Sequence, residues 1–199
     1  MFEKLTSNLK KLGYTVSQFH TAEAAKQYLN SCIDGKTVGF GGSVTLEQVG
    51  LYPVLAQHNE VYWHQGVTDK NESFELRKKA NSAEIYISSV NAVSENGEIV
   101  NIDGNCNRIS AICYGHEKVY LVIGKNKLAE NYDAALYRAR NVAAPLNAKR
   151  FGMRTPCVKD GVCHDCKSPD RICRGLSVLL SKPMTGEFEV VLIDEELGY

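Results

Sequence analysis

The stretch Thr37-Val38-Gly39-Phe40-Gly41-Gly42-Ser43-Val44-Thr45-Leu46 decides the fold. Thr37 to Phe40 reads as a short apolar strand bounded by turn residues, and glycines at 39, 41 and 42 carry the chain from it towards a helix. Glycine lets the backbone turn and lets a ligand approach it, and free N–H groups at a helix start favour an anion. Thr45 with Gln48 fits a capping box, which sets the helix from about Thr45 to His58. The turn falls at the carboxyl end of a strand, where α/β sheets bind ligands. Its spacing is neither GxGxxG nor a Walker loop, because no Lys-Ser/Thr follows, so neither of those nucleotide-binding modes is indicated. A turn serving only close strand–helix packing is the plain alternative.

The same rhythm extends in both directions. Upstream, Phe2, Leu5, Leu9 and Leu12 recur at helical spacing and Gly13 stops them. Tyr14 to Phe19 alternates like a strand, and Thr21 caps a helix that turns Ala22, Ala25, Tyr28, Leu29 and Cys32 inward. Downstream come a strand at Val61 to Trp63, a helix around Glu72 to Ala80 and a strand at Glu84 to Ser89. Two alternating runs then flank Asn96-Gly97, the signal of a tight hairpin. Asn107 to Tyr114 reads as a helix, Lys118 to Ile123 as a strand, and Asn126 to Ala144 as a helix that Pro145 ends. Glu187 to Asp194, with its run FEVVLID, reads as a last strand returning to the sheet. The expected class is α/β, a mostly parallel sheet with helices on both faces. Residues 1–145 form its main domain, and residues 146–199 form a cysteine-rich segment and returning strand packed on the same domain.

Composition bounds the function. A chain of 199 residues, 44% hydrophobic, has room for one good core. Lys+Arg and Asp+Glu balance at 23 each, so no global field favours nucleic acid or an anionic membrane. No stretch approaches the roughly 18 apolar residues of a membrane span, and MFEKLTSNLKKLGY lacks a signal peptide's apolar run. A cytoplasmic protein is expected. An odd count of seven cysteines in a reducing compartment argues against a disulfide framework.

Four of those cysteines, Cys157, Cys163, Cys166 and Cys173, fall within TPCVKDGVCHDCKSPDRICR. Thiolates gathered by Gly and Pro turns suit a metal, and Cys163 with Cys166 makes one tight chelating pair. The wider outer spacings leave zinc and a [4Fe–4S] cluster both open. His164 could substitute for a cysteine, although a solvent-facing ring is the plainer reading. Elsewhere, Asn91, Asp103, Asn107 and Arg108 lie on the hairpin and the loop after it, where polar side chains can line a cleft, though Asn and Asp also simply make turns. His64 ends an aromatic strand. Asn126 and Lys127 occupy a strand–helix junction fit to meet a carboxylate or phosphate. Arg138 and Arg140 are too close in sequence to share a helix face.

Taken together, Gly41-Gly42-Ser43-x-Thr45-Leu46 with Gly50-Leu51, Tyr62-Trp63-His64, Ser89-x-Asn91-Ala92 with Gly97, Asn101-Ile102-Asp103-Gly104, Asn107-Arg108, Gly124-x-Asn126-Lys127 and Ala144-Pro145-x-Asn147 resemble the LUD (lactate-utilization) family over essentially the whole chain. The four-cysteine segment resembles the C-terminal extension of one branch of it. The resemblance implies a fold like that of the NagB/RpiA/CoA-transferase superfamily. It also implies a part in oxidising lactate, or a similar small 2-hydroxy acid, as an accessory or electron-transfer subunit beside iron–sulfur partner subunits. It supplies no catalytic residue. Gly41, Gly42, Ser43, Thr45, Asn91, Asp103, Asn107, Arg108, Asn126 and Lys127 are the expected ligand-binding set for a small, anionic molecule, and a homo-oligomer is compatible with it. A second expectation comes from Ser94-Glu95-Asn96-Gly97, which resembles the motif of the nucleophilic glutamate in some CoA-transferases. Glu95 would attack an acyl-CoA beside an oxyanion-stabilising loop at Gly41-Gly42-Ser43, or the same parts would act on a phosphorylated small molecule. A third is a non-catalytic, metal-stabilised binding protein.

Overall fold

The structure, a computed structural model, describes residues 2–199. In chain order the elements begin with α1 (Glu3–Lys11), β1 (Thr15–Phe19), α2 (Ala22–Cys32), β2 (Thr37–Phe40), α3 (Val44–Val49), α4 (Leu51–Leu55), β3 (Glu60–Tyr62), α5 (Lys70–Ala80) and β4 (Ile85–Ser88). They continue with β5 (Ala92–Ser94), β6 (Ile99–Asp103), α6 (Asn107–Cys113), β7 (Lys118–Gly124), β8 (Leu128–Ala129), α7 (Tyr132–Arg138), α8 (Ala144–Arg150), α9 (Pro156–Asp160), β9 (Gly175–Leu179) and β10 (Glu187–Ile193).

Six strands in the order β1-β10-β7-β4-β2-β3 make the main sheet, and every neighbouring pair is parallel. Because side chains alternate across a strand, β10 sends Phe188, Val190 and Leu192 to one core with Leu5, Leu9 and Tyr86, and Val191 and Ile193 to another with Leu29, Phe40 and Leu46. Helices therefore cover both faces, as continuous apolar strands require. The expected α/β class is what the chain adopts. FEVVLID is the last strand, and it lies inside the sheet between β1 and β7.

A second sheet, ordered β8-β5-β6-β9, stands beside the first. The hairpin at Asn96-Gly97 forms as expected: β5 and β6 pair antiparallel and Gly97 takes φ +105°. β9 joins antiparallel to β6, with Asp103 opposite Gly175. The chain that follows the cysteines thus lays a strand on the hairpin before reaching the main sheet.

Four local expectations need correction. The cap of the helix after β2 is Ser43, whose Oγ accepts from Leu46 N at 3.3 Å, and Thr45 is turned elsewhere. The helix to His58 is cut in two, because Gly50 enters the left-handed region at φ +71° and Pro53 has no N–H to continue the ladder. Cys32 is exposed at the end of α2, so its side chain does not face the core. Pro145 does not end a helix from Asn126. Lys125 to Lys127 is a 3₁₀ turn, β8 follows, and α7 passes through a π turn at Ala139–Ala143 into α8, which includes Pro145. The wider turn relieves the crowding between the proline ring and the carbonyl four residues back that a regular turn imposes.

Gly39 lies where α5 crosses β2: a Cβ there would collide with the backbone carbonyl of Ala80. Backbone cannot retreat as a side-chain tip can. Gly39→Ala is expected to lower the free energy of urea unfolding by about 3 kcal/mol, the upper end of overpacking costs; an unchanged midpoint would show that α5 is free to shift.

Candidate functional site

A cleft of about 710 Å³ opens between the two sheets. Its walls come from the segments that leave the strands: Gly42 and Ser43 after β2, His64 and Gln65 after β3, Ser89 to Asn91 after β4, Lys127 after β7 and Tyr199 after β10. It therefore occupies the carboxyl edge of the parallel sheet, the edge that the glycine turn indicates.

The glycine turn divides its labour. Gly42 lines the cleft, where a Cβ would come 3.2 Å from His64 Nε2. Gly41 does not line it; a Cβ there would press on Ser88 Oγ at 2.6 Å and on the Tyr86 hydroxyl and Arg108 Cδ. Packing alone requires that glycine. Ser43 also holds the wall in place, its N–H donating to Gln65 Oε1 at 2.8 Å.

Arg108 makes four side-chain hydrogen bonds. Nη1 donates to Ser89 O (2.9 Å) and Asn101 Oδ1 (2.8 Å), and Nη2 donates to Asn91 Oδ1 (3.0 Å) and Ile102 O (2.8 Å). Asp103, although near, accepts instead from the backbone N–H groups of Arg108, Ile109 and Asn105, so it seats the first turn of α6. Asn107 lines the cleft beside them.

Lys127 is buried, 4% exposed, and among the described residues its partners are two hydroxyls and no carboxylate: Thr45 Oγ1 and Ser89 Oγ, each at 2.8 Å. Burial, and then the like charges of Arg108 and Arg138, hold its amine well below the ordinary lysine value. Thr45 in turn donates to Leu197 O at 3.1 Å. Asn126 lies outside the cleft lining and clamps the tail, accepting from Leu197 N and donating to Gly198 O. Arg138 turns inward onto Asn126 O and Asn91 O, while Arg140 pairs with Asp165 outside.

The expected set is thus brought together around one cleft, with Gly41, Thr45 and Asn126 acting one layer behind it. The charge of the cleft was not foreseen: Arg77, Arg108, Lys127, Arg150, Arg171 and Arg174 line it against only Glu47, Asp103 and Asp170. Six cations against three acids, on a chain with no net charge, make a local field suited to an anion. Arg77 comes from α5, Arg150 from α8, and Arg171 and Arg174 from the one loop around Cys173, and the only cue in the chain is that pair of arginines flanking Cys173.

Glu95 is parted from the glycine turn. Its carboxylate pairs with Lys4 at 2.6 Å, Asn8 donates to its carbonyl, and it is not among the residues lining the cleft.

Cys157, Cys163, Cys166 and Cys173 line one small second cavity, together with His164, Ala144, Arg171 and Ile172, and all four are free, half-buried thiols. Arg171 Nη2 donates to Cys173 Sγ at 3.4 Å, and the Thr155 hydroxyl lies 3.2 Å from Cys157 Sγ. His164 is occupied by Asp160 at 2.6 Å. Among the described residues, no three Cys, His, Asp or Glu side chains already stand as the donor set of an ion. The donor chemistry fits a soft metal or a cluster, with sulfurs around a common void and an N–H donor on one of them.

An α/β protein with a cationic cleft at its sheet edge and a four-thiol pocket beside it is the class these features define. The chain matches the LUD domain family over residues 2–193 and belongs to that family. No curated protein matches it in sequence. Its fold is similar to that of a DUF162 family protein from Deinococcus radiodurans, at 10% identity and a TM-score of 0.54 over 96% of this chain and 94% of that one. A ribose 5-phosphate isomerase from Plasmodium falciparum matches over 55% of this chain and 52% of its own, at 16% identity and a TM-score of 0.32.

Two buried basic groups, Lys127 and His64, each generate a prediction. Lys127→Met removes an amine that has no counter-charge, and it is expected to raise stability by about 1 kcal/mol, as exchanges of buried charge for apolar bulk do; a marked fall in the melting temperature would mean that the two hydroxyl bonds matter more. His64 is held down to about 4, first by burial and then by Arg77, against a small opposing pull from Asp103. An unfolded chain protonates it near 6.5. The stability gained by burying the neutral ring is therefore complete above about pH 6.5 and is withdrawn as pH falls towards 4. His64→Gln should flatten the loss of stability in that window, and a curve parallel to wild type would remove His64 as its source.

Proposed function

We propose that this LUD-family protein binds a small 2-hydroxy acid such as lactate, or its 2-oxo product, in the cationic cleft, and contributes to its oxidation as an accessory or electron-transfer subunit. On this reading it works in the cytoplasm beside iron–sulfur partner subunits and belongs to the branch of the family that carries the four-cysteine segment. The observation that carries the proposal is Lys127, a buried amine with hydroxyl partners and no carboxylate, at the floor of a cleft whose lining cations outnumber its acids. A ligand carboxylate would supply the missing counter-charge and oppose the downward pull that burial exerts on the amine. Arg108, fixed by four acceptors, holds the cleft in shape without having to reorganise. Ser89, bonded to Lys127, offers the ligand's hydroxyl or carbonyl a neighbouring polar group. Cys157, Cys163, Cys166 and Cys173 would hold zinc or a [4Fe–4S] cluster. The first supplies a structural clamp, and the second supplies one-electron transfer.

Titration calorimetry with lactate, pyruvate and the uncharged lactamide tests the anion. The two carboxylates should bind at least about tenfold more tightly than lactamide, a difference of about 1.4 kcal/mol, and Lys127→Met should erase most of that advantage. Equal binding of lactamide would sink the reading. Anaerobic purification with metal analysis separates the two roles of the cysteines: a brown protein containing iron supports electron transfer, and a colourless zinc protein supports the accessory role.

A further inference from the structure

The thiol pocket and the cleft share a wall. Ala144, Arg171 and Ile172 line both. Between Cys166 and Cys173 the chain presents Pro169, Asp170, Arg171 and Ile172 to the cleft, and Arg174 follows at once. One short loop, held at both ends by candidate metal ligands, therefore supplies a whole side of the anion site, including two of its six cations.

Arg171 faces both ways. Its Nη1 donates to Cys166 O at 2.8 Å and its Nη2 to Cys173 Sγ at 3.4 Å, which ties the guanidinium to both ends of the loop. Its Nε is buried and has no partner among the described residues. Such a donor costs free energy until an acceptor arrives. The loop is also seated on the machinery of the cleft: Arg174 N donates to Asp103 O at 3.0 Å, and Gly104 lies so close to Ile172 O that a Cβ would stand 3.1 Å from it. Asp103 carries the first turn of α6 and, through it, Arg108.

The thiols surround a void, and no three of them already stand as a donor set. A metal needs each sulfur at about 2.3 Å. Loading therefore has to bring the sulfurs together, and any movement of Cys166 or Cys173 carries with it the loop that walls the cleft.

We infer that the four-cysteine pocket and the cleft are two halves of one site, joined through Arg171, so that metal held by Cys157, Cys163, Cys166 and Cys173 sets the cleft's affinity for a small organic or inorganic anion. The inference rests on the proposed reading of both halves and adds the dependence of one on the other. It makes the metal a control on ligand uptake as well as a staple for β9, and it leaves the bound anion one side chain away from a metal–thiolate centre.

The test uses the full chain, stripped with a chelator under reducing conditions and reloaded with zinc. Pyruvate and inorganic phosphate serve as anion probes in calorimetry, and amide hydrogen exchange follows Gly104 to Arg108. Zinc is expected to raise the affinity for at least one probe by tenfold or more and to slow exchange at Gly104 to Arg108. Arg171→Gln should retain zinc in the wild-type amount, by metal analysis, and lose most of the affinity gain. Equal affinity with and without zinc, or a full gain in Arg171→Gln, overturns the inference while leaving both halves of the proposed function standing. If neither probe binds, exchange decides: slowing at Gly104 to Arg108 upholds the coupling and removes the anion reading, and unchanged exchange removes both. A wild-type chain that takes up neither zinc nor, on anaerobic reconstitution, an iron–sulfur cluster removes the metal reading and this inference with it.

Discussion

The arrangement of the molecule depends on one guanidinium that has no carboxylate partner among the described residues. Arg108 reaches Ser89, at the end of the main sheet's β4, and Asn91, Asn101 and Ile102 in the second sheet. It fastens the two sheets at the point where they separate to form the cleft. Hydrogen bonds to a charged donor contribute about 1.5–3 kcal/mol each, and four of them fix the ring of donors in one plane. Neutral acceptors leave its positive charge uncancelled, as they also leave that of its neighbour Arg138. Satisfied geometry and unsatisfied charge coexist in the same side chain. The guanidinium is held by four hydrogen bonds while its charge stays uncompensated.

The opposite solution is used inside the helix-covered sheet. Glu189, 1% exposed on β10, accepts from Ser17 and Tyr28 at 2.7 Å each and meets Lys118 at 3.0 Å, and these donors outweigh burial and hold its carboxyl below the usual range. There a buried charge is paired and hydrogen-bonded within the chain, as a purely structural group must be. Glu189 and Lys127 thus differ: the first is paired within the chain, and the second has only hydroxyl partners among the described residues.

Much of the architecture was legible because it is local. Alternation in FEVVLID, the Asn96-Gly97 turn and the strand–glycine–helix passage at Thr37 to Leu46 each state their geometry within a few residues. Capping was misassigned by two positions: Ser43 and Thr45 are both competent caps, and what separates them is Lys127, 82 residues away, which claims the Thr45 hydroxyl. Pro145 was misjudged because a π turn is set by the packing of α7 on the second sheet and leaves no mark in composition. The second sheet itself was half visible: β5 and β6 announce a hairpin, whereas β8 has two residues and β9 pairs across more than seventy positions. Of the candidate site, Asn91, Asp103, Arg108 and Lys127 could be named from their polar loops. The arginines from α5, α8 and the cysteine loop could not, since only the tertiary fold brings them to one cleft.

The position of β10 also bears on how the chain folds. The last strand of the sequence lies in the interior of the main sheet, so β1 has no strand to pair with until β10 has been inserted beside β7. Long-range parallel pairing is slow, because loop closure must precede the contacts that reward it. Until then β7 and β1 are open edges, the kind of surface that pairs wrongly with other chains. A sheet completed from its middle binds the first helices, the cleft and the cysteine loop into one cooperative event.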